Sequence, residues 1–198
     1  LLVEKAKQSG MPKDNIERAI KKAVGSDSDN YVETSFEGYG PGGIAVFTEC
    51  LTDNNNRTVA SVRAAYNKHG GKLGTNGSLS SLFDRKGVFT ISKEVTLPDD
   101  FELELIDAGA QEFEDDDDIL TITCDIVDFG NVNKKLNELG IEPEDAGLKR
   151  IPNMTRTLDI ESARKLMKFI EVLEDDDDVQ NVYHNLEITD ELADELEK

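Results

Sequence analysis

Apolar residues between positions 12 and 25 recur at the spacing of one helical face. The apolar stripe consists of Ile16, Ala19, Ile20, Ala23 and Val24, and the opposite side carries Arg18, Lys21 and Lys22. Pro12 suits the first turn of a helix and Gly25 suits its end. The pattern therefore predicts an amphipathic helix, which we interpret as part of the remnant (residues 1–27) of an N-terminal helical domain. Residues 26–30 are predicted to form a linker.

The next segment combines a strand, a helix and a glycine-rich loop. The run IAVFTECLT at residues 44–52 is apolar and β-branched, which favours a buried strand. The polar residues 53–56 (DNNN) suit a helix start, so we expect a helix from Thr58 to His69 that ends at Gly70-Gly71. The loop GGKLGTNGS then leads into two short strand-like runs, LSSLF and GVFTIS.

Residues 87–152 alternate between strand and helix patterns. The predicted order is the strand GVFTIS, a helix from Pro98, a strand within EFEDDDDILTITCDI, a helix closed by Gly140, and the strand GLKRIP. This alternation favours a small α/β sandwich of the ferredoxin-like type.

The C-terminal part of the chain predicts a long helix, a strand and a short helix. The long helix is defined by Ile160, Ala163, Leu166, Met167, Ile170 and Leu173. The strand is VQNVYHNLEI, and Thr189 is expected to cap the short helix. These elements have no partner nearby in sequence, so we expect a discontinuous α/β domain (28–86 plus 153–198) with an acidic ferredoxin-like domain (87–152) inserted. The predicted fold class is α+β, an N-terminal helical segment plus two ferredoxin-like α/β domains, one inserted in the other.

Charge is segregated along the chain. The 198 residues have a formal net charge of −20, which argues against whole-surface attraction to nucleic acid or an anionic membrane. Residues 57–93 nevertheless hold seven basic side chains against the single acid Asp84, a net charge of +6, and residues 94–148 have a net charge of −16. The pattern fits an oriented encounter with a polyanion, or an uneven solvated surface, and leaves both open. The acidic region 94–148 could also dock a basic protein, and no apolar run approaches the ~20 residues of a membrane span.

Catalytic and metal-binding signatures are missing from the sequence. Cys50 and Cys124 lie far apart in apolar runs, which predicts buried reduced thiols in an intracellular protein. The acidic runs 115–118 and 175–178 lack the spacing of a calcium loop, so we expect solvated turns there. The loop GYGPGG precedes a strand instead of a helix, which disfavours dinucleotide binding. We therefore expect no catalytic residues, no metal and no cofactor.

The best functional signal is the segment DNNNRTVASVRAAYNKHGGKLGTNGS. Arg57, Ser61, Ala64 and Lys68 share one helical face, where small residues between cations would let a phosphate backbone approach closely. The glycine loop with Lys72 and Asn76 is expected to add unhindered backbone N–H groups. The alternative is an asparagine-capped helix with a polar face and a flexible loop. The candidate nucleic-acid-binding residues are Arg18, Lys21, Lys22, Asn54, Asn56, Arg57, Arg63, Lys68, Lys72, Asn76, Arg85 and Lys86.

Several separated blocks resemble the YebC/PmpR family, which includes the mitochondrial translational activator of cytochrome c oxidase. The blocks are MPKDNIERAI, EGYGPGGIAV, DNNNRTVASVR, GGKLGTNGSLS, LFDRKGVF and LEDDDDVQNVYHN. The resemblance implies three domains, one of them inserted in another, and a Lys- and Arg-rich helical N-terminal part. Because LLVEKAKQSG begins in mid-pattern, we expect that this part is truncated here. Ser81 stands where the family usually has an aromatic residue.

The same resemblance implies a non-enzymatic regulator of gene expression that binds nucleic acid. The first expectation is a DNA-binding transcriptional regulatory protein of the cytoplasm. The alternative is a ribosome-associated translational activator or elongation helper that binds ribosomal RNA or transfer RNA. A location in the mitochondrial matrix is left open at this point.

Overall fold

The computed structural model describes residues 3, 6, 7, 9–24, 31–116 and 118–196. The predicted linker at 26–30 lies outside the described residues, as does the predicted helix end at Gly25. The elements in chain order are α1 (Lys13–Val24), β1 (Val32–Tyr39), β2 (Ala45–Thr52), α2 (Asn55–Lys68), β3 (Lys72–Leu73), β4 (Phe83–Ser92), α3 (Phe101–Asp107), β5 (Ala110–Asp116), β6 (Ile119–Cys124), α4 (Phe129–Glu138), β7 (Asp145–Pro152), α5 (Ile160–Glu174), β8 (Val179–His184) and α6 (Asp190–Leu196).

The chain forms two compact units, residues 1–82 with 152–198 and residues 83–151. Each unit holds a four-stranded sheet, and the α+β fold class is confirmed. Within the described part of the chain, no helix has the length and apolar character needed to cross a bilayer.

The first unit has the strand order β3-β1-β2-β8, with antiparallel neighbours throughout. It begins with the hairpin β1-β2, so its connectivity differs from the ferredoxin-like order that we expected. Helices α2 and α5 pack on one face of this sheet, where Tyr66 and Phe169 meet edge to face with ring centroids 4.8 Å apart. The buried cluster of this unit comprises Phe36, Ile44, Val46, Cys50, Val62, Ala65, Tyr66, Ala163, Leu166, Phe169, Ile170, Leu173, Leu186 and Leu192.

The second unit has the strand order β5-β6-β4-β7 and the chain order β4-α3-β5-β6-α4-β7. This is the ferredoxin-like arrangement. Its core includes Phe89, Ile91, Leu105, Ile122, Val132 and Leu136. The unit starts at Phe83, four residues earlier than the predicted boundary, because β4 extends back from GVFTIS through FDRK.

Three local predictions need correction. In the run LSSLF, residues 79–82 form turns and only Phe83 belongs to a strand, β4. Among the four turn residues Leu79 is buried and the serines beside it are exposed, which does not suit a strand of a packed sheet. The run EFEDDDDILTITCDI is a hairpin of two strands, β5 and β6, whose turn falls in the acidic run 115–118. The segment VETSFEGY forms β1, which its polar residues concealed.

The helix predictions match the structure more closely. The amphipathic stripes at 16–24, 58–69 and 160–173 correspond to α1, α2 and α5. The backbone N–H of Leu192 donates to the Thr189 hydroxyl at 3.3 Å, which confirms the predicted cap of the last helix. Cys50 and Cys124 are buried free thiols, which confirms that prediction as well.

Candidate nucleic-acid interface

Helix α2 begins with an asparagine cap and buries one apolar face. The side-chain oxygen of Asn54 accepts the backbone N–H of Arg57 at 3.2 Å, which satisfies one of the free donors of the first turn. Thr58, Val62, Ala65 and Tyr66 face the core. The outward face carries Asn56, Ala60, Arg63 and Asn67, all exposed. The fourteen residues of the helix include three cations and no acid.

Arg57 forms a bidentate ion pair with Asp178 in the loop between α5 and β8. Its Nη2 donates to Asp178 Oδ1 at 2.6 Å, and its Nε donates to Asp178 Oδ2 at 3.1 Å. Nη2 also donates to Asp53 Oδ1 at 2.9 Å. The hydrogen bonds from Arg57 hold the pKa of the Asp178 carboxyl below its ordinary value. The guanidinium therefore already has carboxylate partners within the protein.

The acidic run 175–178 is a structural element of this unit, so its interpretation as a solvated turn was wrong for two of its residues. Asp178 is buried and also accepts the Thr58 hydroxyl at 2.8 Å. Asp176 accepts the Ser61 hydroxyl and the backbone N–H of Asp178. The run could not be recognised as structural from sequence, because its partners on α2 lie more than 110 positions away.

These carboxylates surround a concave space of about 620 Å³. Its lining residues are Tyr31, Asp53, Arg57, Ser61, Asp175, Asp176, Asp177 and Asp178. Carboxylates repel phosphate groups, so the side of α2 that carries Arg57 and Ser61 is unfavourable for binding a polyanion. Among the residues that the structure describes, no group of three His, Cys, Asp or Glu side chains could hold a metal ion.

The glycine loop after β3 is anchored by the buried carboxylate of Glu37. Glu37 Oε1 accepts the Gly77 N–H at 2.7 Å, and Oε2 accepts the Leu79 N–H at 2.6 Å. The Glu37 carbonyl accepts the Gly74 N–H at 2.7 Å. The expectation of unhindered N–H groups was therefore wrong for these three residues. The sequence offers one signal of this role, a carboxyl side chain flanked by Phe36 and Gly38.

The predicted binding residues are distributed over both units. Asn54, Asn56, Arg57, Arg63 and Lys68 lie on α2 or its cap, followed closely by Lys72 on β3 and Asn76 in the anchored loop. Arg18, Lys21 and Lys22 lie on α1, where Arg18 and Lys21 are exposed and the side chain of Lys22 lies outside the described residues. Arg85 and Lys86 belong to β4 of the other unit.

The cations differ in whether a carboxylate already neutralises them. Lys86 Nζ lies 2.7 Å from Asp125 Oδ1 and 2.8 Å from Gln111 Oε1. The exposed cations among the predicted residues include Arg18, Lys21, Arg63, Lys68, Lys72 and Arg85. Exposed cations are available to an external phosphate, and on α2, apart from the paired Arg57, these are Arg63 and Lys68.

Comparison with known proteins adds independent information. A family model described as TACO1/YebC second and third domain matches residues 31–186. A protein of Porphyromonas gingivalis is 48% identical over 187 residues, which is 94% of this chain and 77% of that protein. A protein of Parabacteroides distasonis is 48% identical over 191 residues, 96% of this chain and 79% of that protein. Both bear the name "probable transcriptional regulatory protein".

A solved structure has the same fold. The crystal structure of a conserved hypothetical protein from Aquifex aeolicus matches with a TM-score of 0.82 and 37% sequence identity. The match covers 93% of this chain and 77% of that one.

Proposed function

The chain belongs to the TACO1/YebC family, and from that premise we propose that it is a non-catalytic regulator of gene expression that binds nucleic acid through helix α2. The family membership confirms the resemblance identified from the sequence blocks. The names of the Porphyromonas and Parabacteroides relatives support regulation of transcription. Because these relatives are bacterial, we place the protein in the bacterial cytoplasm, and they lend no support to a mitochondrial location.

The observation that carries the proposal is the charge of α2. This helix has three cations and no acid in a chain whose net charge is −20. Ala60 and Ala64 are exposed small residues beside Arg63 and Lys68, so a sugar–phosphate backbone meets cations without bulky side chains between them. Backbone contacts of this kind supply affinity and position, with little dependence on sequence.

Arg57 has a positioning role in this proposal. Its bond to Asp178 ties the first turn of α2 to the loop before β8. The phosphate-binding role on this helix falls to Arg63 and Lys68.

A structured RNA such as ribosomal RNA is the second candidate target, and the overall charge favours it. A molecule with a net charge of −20 is repelled by a long duplex everywhere except at a local basic face. A folded RNA can meet that face by its shape, without wrapping the acidic remainder. A basic protein that docks on residues 94–148 stays a further prediction within this proposal.

Matched charge reversals test the role of α2. Lys68→Glu and Arg63→Glu should each weaken binding to duplex DNA or to ribosomes, and each should reduce the log–log salt slope by about 0.9 on duplex DNA. Lys168→Glu is the control, because Lys168 is also an exposed helical lysine of the same unit. Co-sedimentation with ribosomes, with promoter-length duplex as competitor, distinguishes the two targets. If Arg63→Glu and Lys68→Glu bind as tightly as the Lys168→Glu control, the role of α2 is contradicted.

A further inference from the structure

Tyr39 and Lys72 lie side by side at one edge of the first sheet. Tyr39 ends β1 and is 42% exposed, and Lys72 of β3 is its partner in the antiparallel register. Directly opposed residues share a face, with their Cβ atoms ~5 Å apart. Ala45 of β2 is opposite Tyr39 on its other side and is fully buried. A cation, an aromatic ring and a methyl group therefore form one row across three strands.

This row lies on the face of the sheet that points away from α2 and α5. Phe36 belongs to the core beneath those helices, and side chains alternate between faces along a strand. Glu37 and Tyr39 consequently project to the other face. Glu37 is buried there, and its carboxylate is engaged because it accepts two N–H groups of the loop 74–79. The side chain of Tyr39, in contrast, is partly exposed to solvent.

Two glycines hold the pair in place. A Cβ at Gly38 would lie 2.7 Å from the carbonyl oxygen of Lys72 and 2.7 Å from Cε1 of Tyr66. A Cβ at Gly71 would lie 2.8 Å from the carbonyl oxygen of Tyr39. Larger residues at either position would push β3 away from β1. The backbone is therefore arranged for close contact between the two strands, which places Lys72 directly opposite Tyr39.

An exposed aromatic ring beside a cation is suited to an unpaired nucleotide. A base stacks on the ring through its π-face, and the ammonium group meets the adjoining phosphate. We propose that Tyr39 and Lys72 bind one unpaired nucleotide, with Tyr39 stacked on the base and Lys72 at its phosphate. The proposal rests on the nucleic-acid binding assigned to α2 and adds a preference for unpaired positions, which a phosphate-contacting helix alone does not provide.

The chain contains no tryptophan, so a single Tyr39→Trp substitution creates a specific fluorescent reporter. We expect saturable quenching when this variant of the 198-residue chain binds single-stranded oligouridylate or oligodeoxythymidylate, and no quenching by a blunt duplex of equal length. Comparison of the two oligonucleotides shows whether RNA or DNA is preferred. Tyr31→Trp is the matched control, because Tyr31 is another exposed tyrosine of the same unit, at 55%, and should not be quenched.

Affinity measurements give a second, independent readout. Tyr39→Ala should weaken single-strand binding about 5- to 150-fold, the range found when a stacking aromatic is removed, whereas Tyr39→Phe should retain binding. Lys72→Ala should reduce the single-strand salt slope by about 0.7. Circular dichroism of each variant verifies that the fold is retained.

The outcomes separate this inference from the proposed function. If a labelled oligonucleotide binds but the fluorescence of Tyr39→Trp is not quenched and Tyr39→Ala binds normally, the nucleotide site is refuted and binding by α2 stands. Equal quenching by the duplex refutes the preference for unpaired nucleotides. If the chain binds neither single strands, duplex nor ribosomes, the nucleotide site and the proposed function both fail.

Discussion

Arg57 and Asp178 are 121 positions apart in the sequence and are joined by two hydrogen bonds, of 2.6 and 3.1 Å. Only 8% of the Asp178 side chain is exposed, against 52% for Arg57. The pair connects the start of α2 with the start of β8, and Thr58 adds a third hydrogen bond to the same carboxylate. An aspartate at this depth needs such partners, because burial of a lone charge is costly.

Removal of Arg57 should destabilise the first unit. Arg57→Ala leaves the buried Asp178 carboxylate without its main partner, and we expect a fall in Tm of ~4–8 °C. Arg63→Ala is the control, since Arg63 is an exposed arginine of the same helix, and should change Tm by less than about 2 °C. Thermal denaturation followed by circular dichroism measures both. If the two variants have the same Tm, the ion pair has no role in stability.

The same pair should give the stability an acid-sensitive component. The hydrogen bonds from Arg57 lower the pKa of Asp178 in the folded protein. The resulting stabilisation is present above the pKa of the unfolded state, about 3.9, and is lost as the pH falls through the lower folded-state value. Below about pH 4, Tm of the wild type should therefore fall more steeply than Tm of Asp178→Asn. Parallel curves for the two proteins between pH 2 and 6 would exclude this contribution.

Glu37→Gln should loosen the loop 74–79. An amide has one oxygen acceptor in place of two, so the N–H of Gly77 or Leu79 loses its partner, at a cost of about 1–3 kcal/mol. Native-state hydrogen exchange should show faster exchange at these two amides. Glu33→Gln, an exposed glutamate of the same strand, should leave them unchanged. Unaltered protection in Glu37→Gln would show that the carboxylate does not hold the loop.

Both thiols should be unreactive in the folded protein. Burial, with Asp176 and Asp178 nearby, raises the pKa of Cys50 to about 12, and burial raises the pKa of Cys124 to about 11. The thiolate is the reactive form, so a disulfide reagent at pH 8 should react slowly with the native chain. In denaturant, two thiols should react rapidly. Rapid modification of the native chain would contradict the burial of these residues.

The sequence was a good guide to elements whose signal is local. The stripes of α1, α2 and α5 were readable because one face of a helix must be buried in order to pack. The Thr189 cap depends on a contact three residues away, and it was predicted correctly. Strand β1 leaves no local signal because its polar residues conceal the alternation, and the pattern of EFEDDDDILTITCDI predicts one strand where the structure has the β5-β6 hairpin.

The candidate site shows the same division. The sequence alone determined that basic residues are concentrated at 57–93 and acidic residues at 94–148, because the formal charge of a segment depends only on which residues it contains. It did not show which of these charges would be free. The tertiary structure decided that Asp178 pairs with Arg57, that Glu37 accepts the N–H groups of the loop 74–79, and that Tyr39 lies opposite Lys72 in the sheet. Each of these relationships joins residues more than 30 positions apart, and such partners are chosen by the packing of whole elements, which no local pattern records.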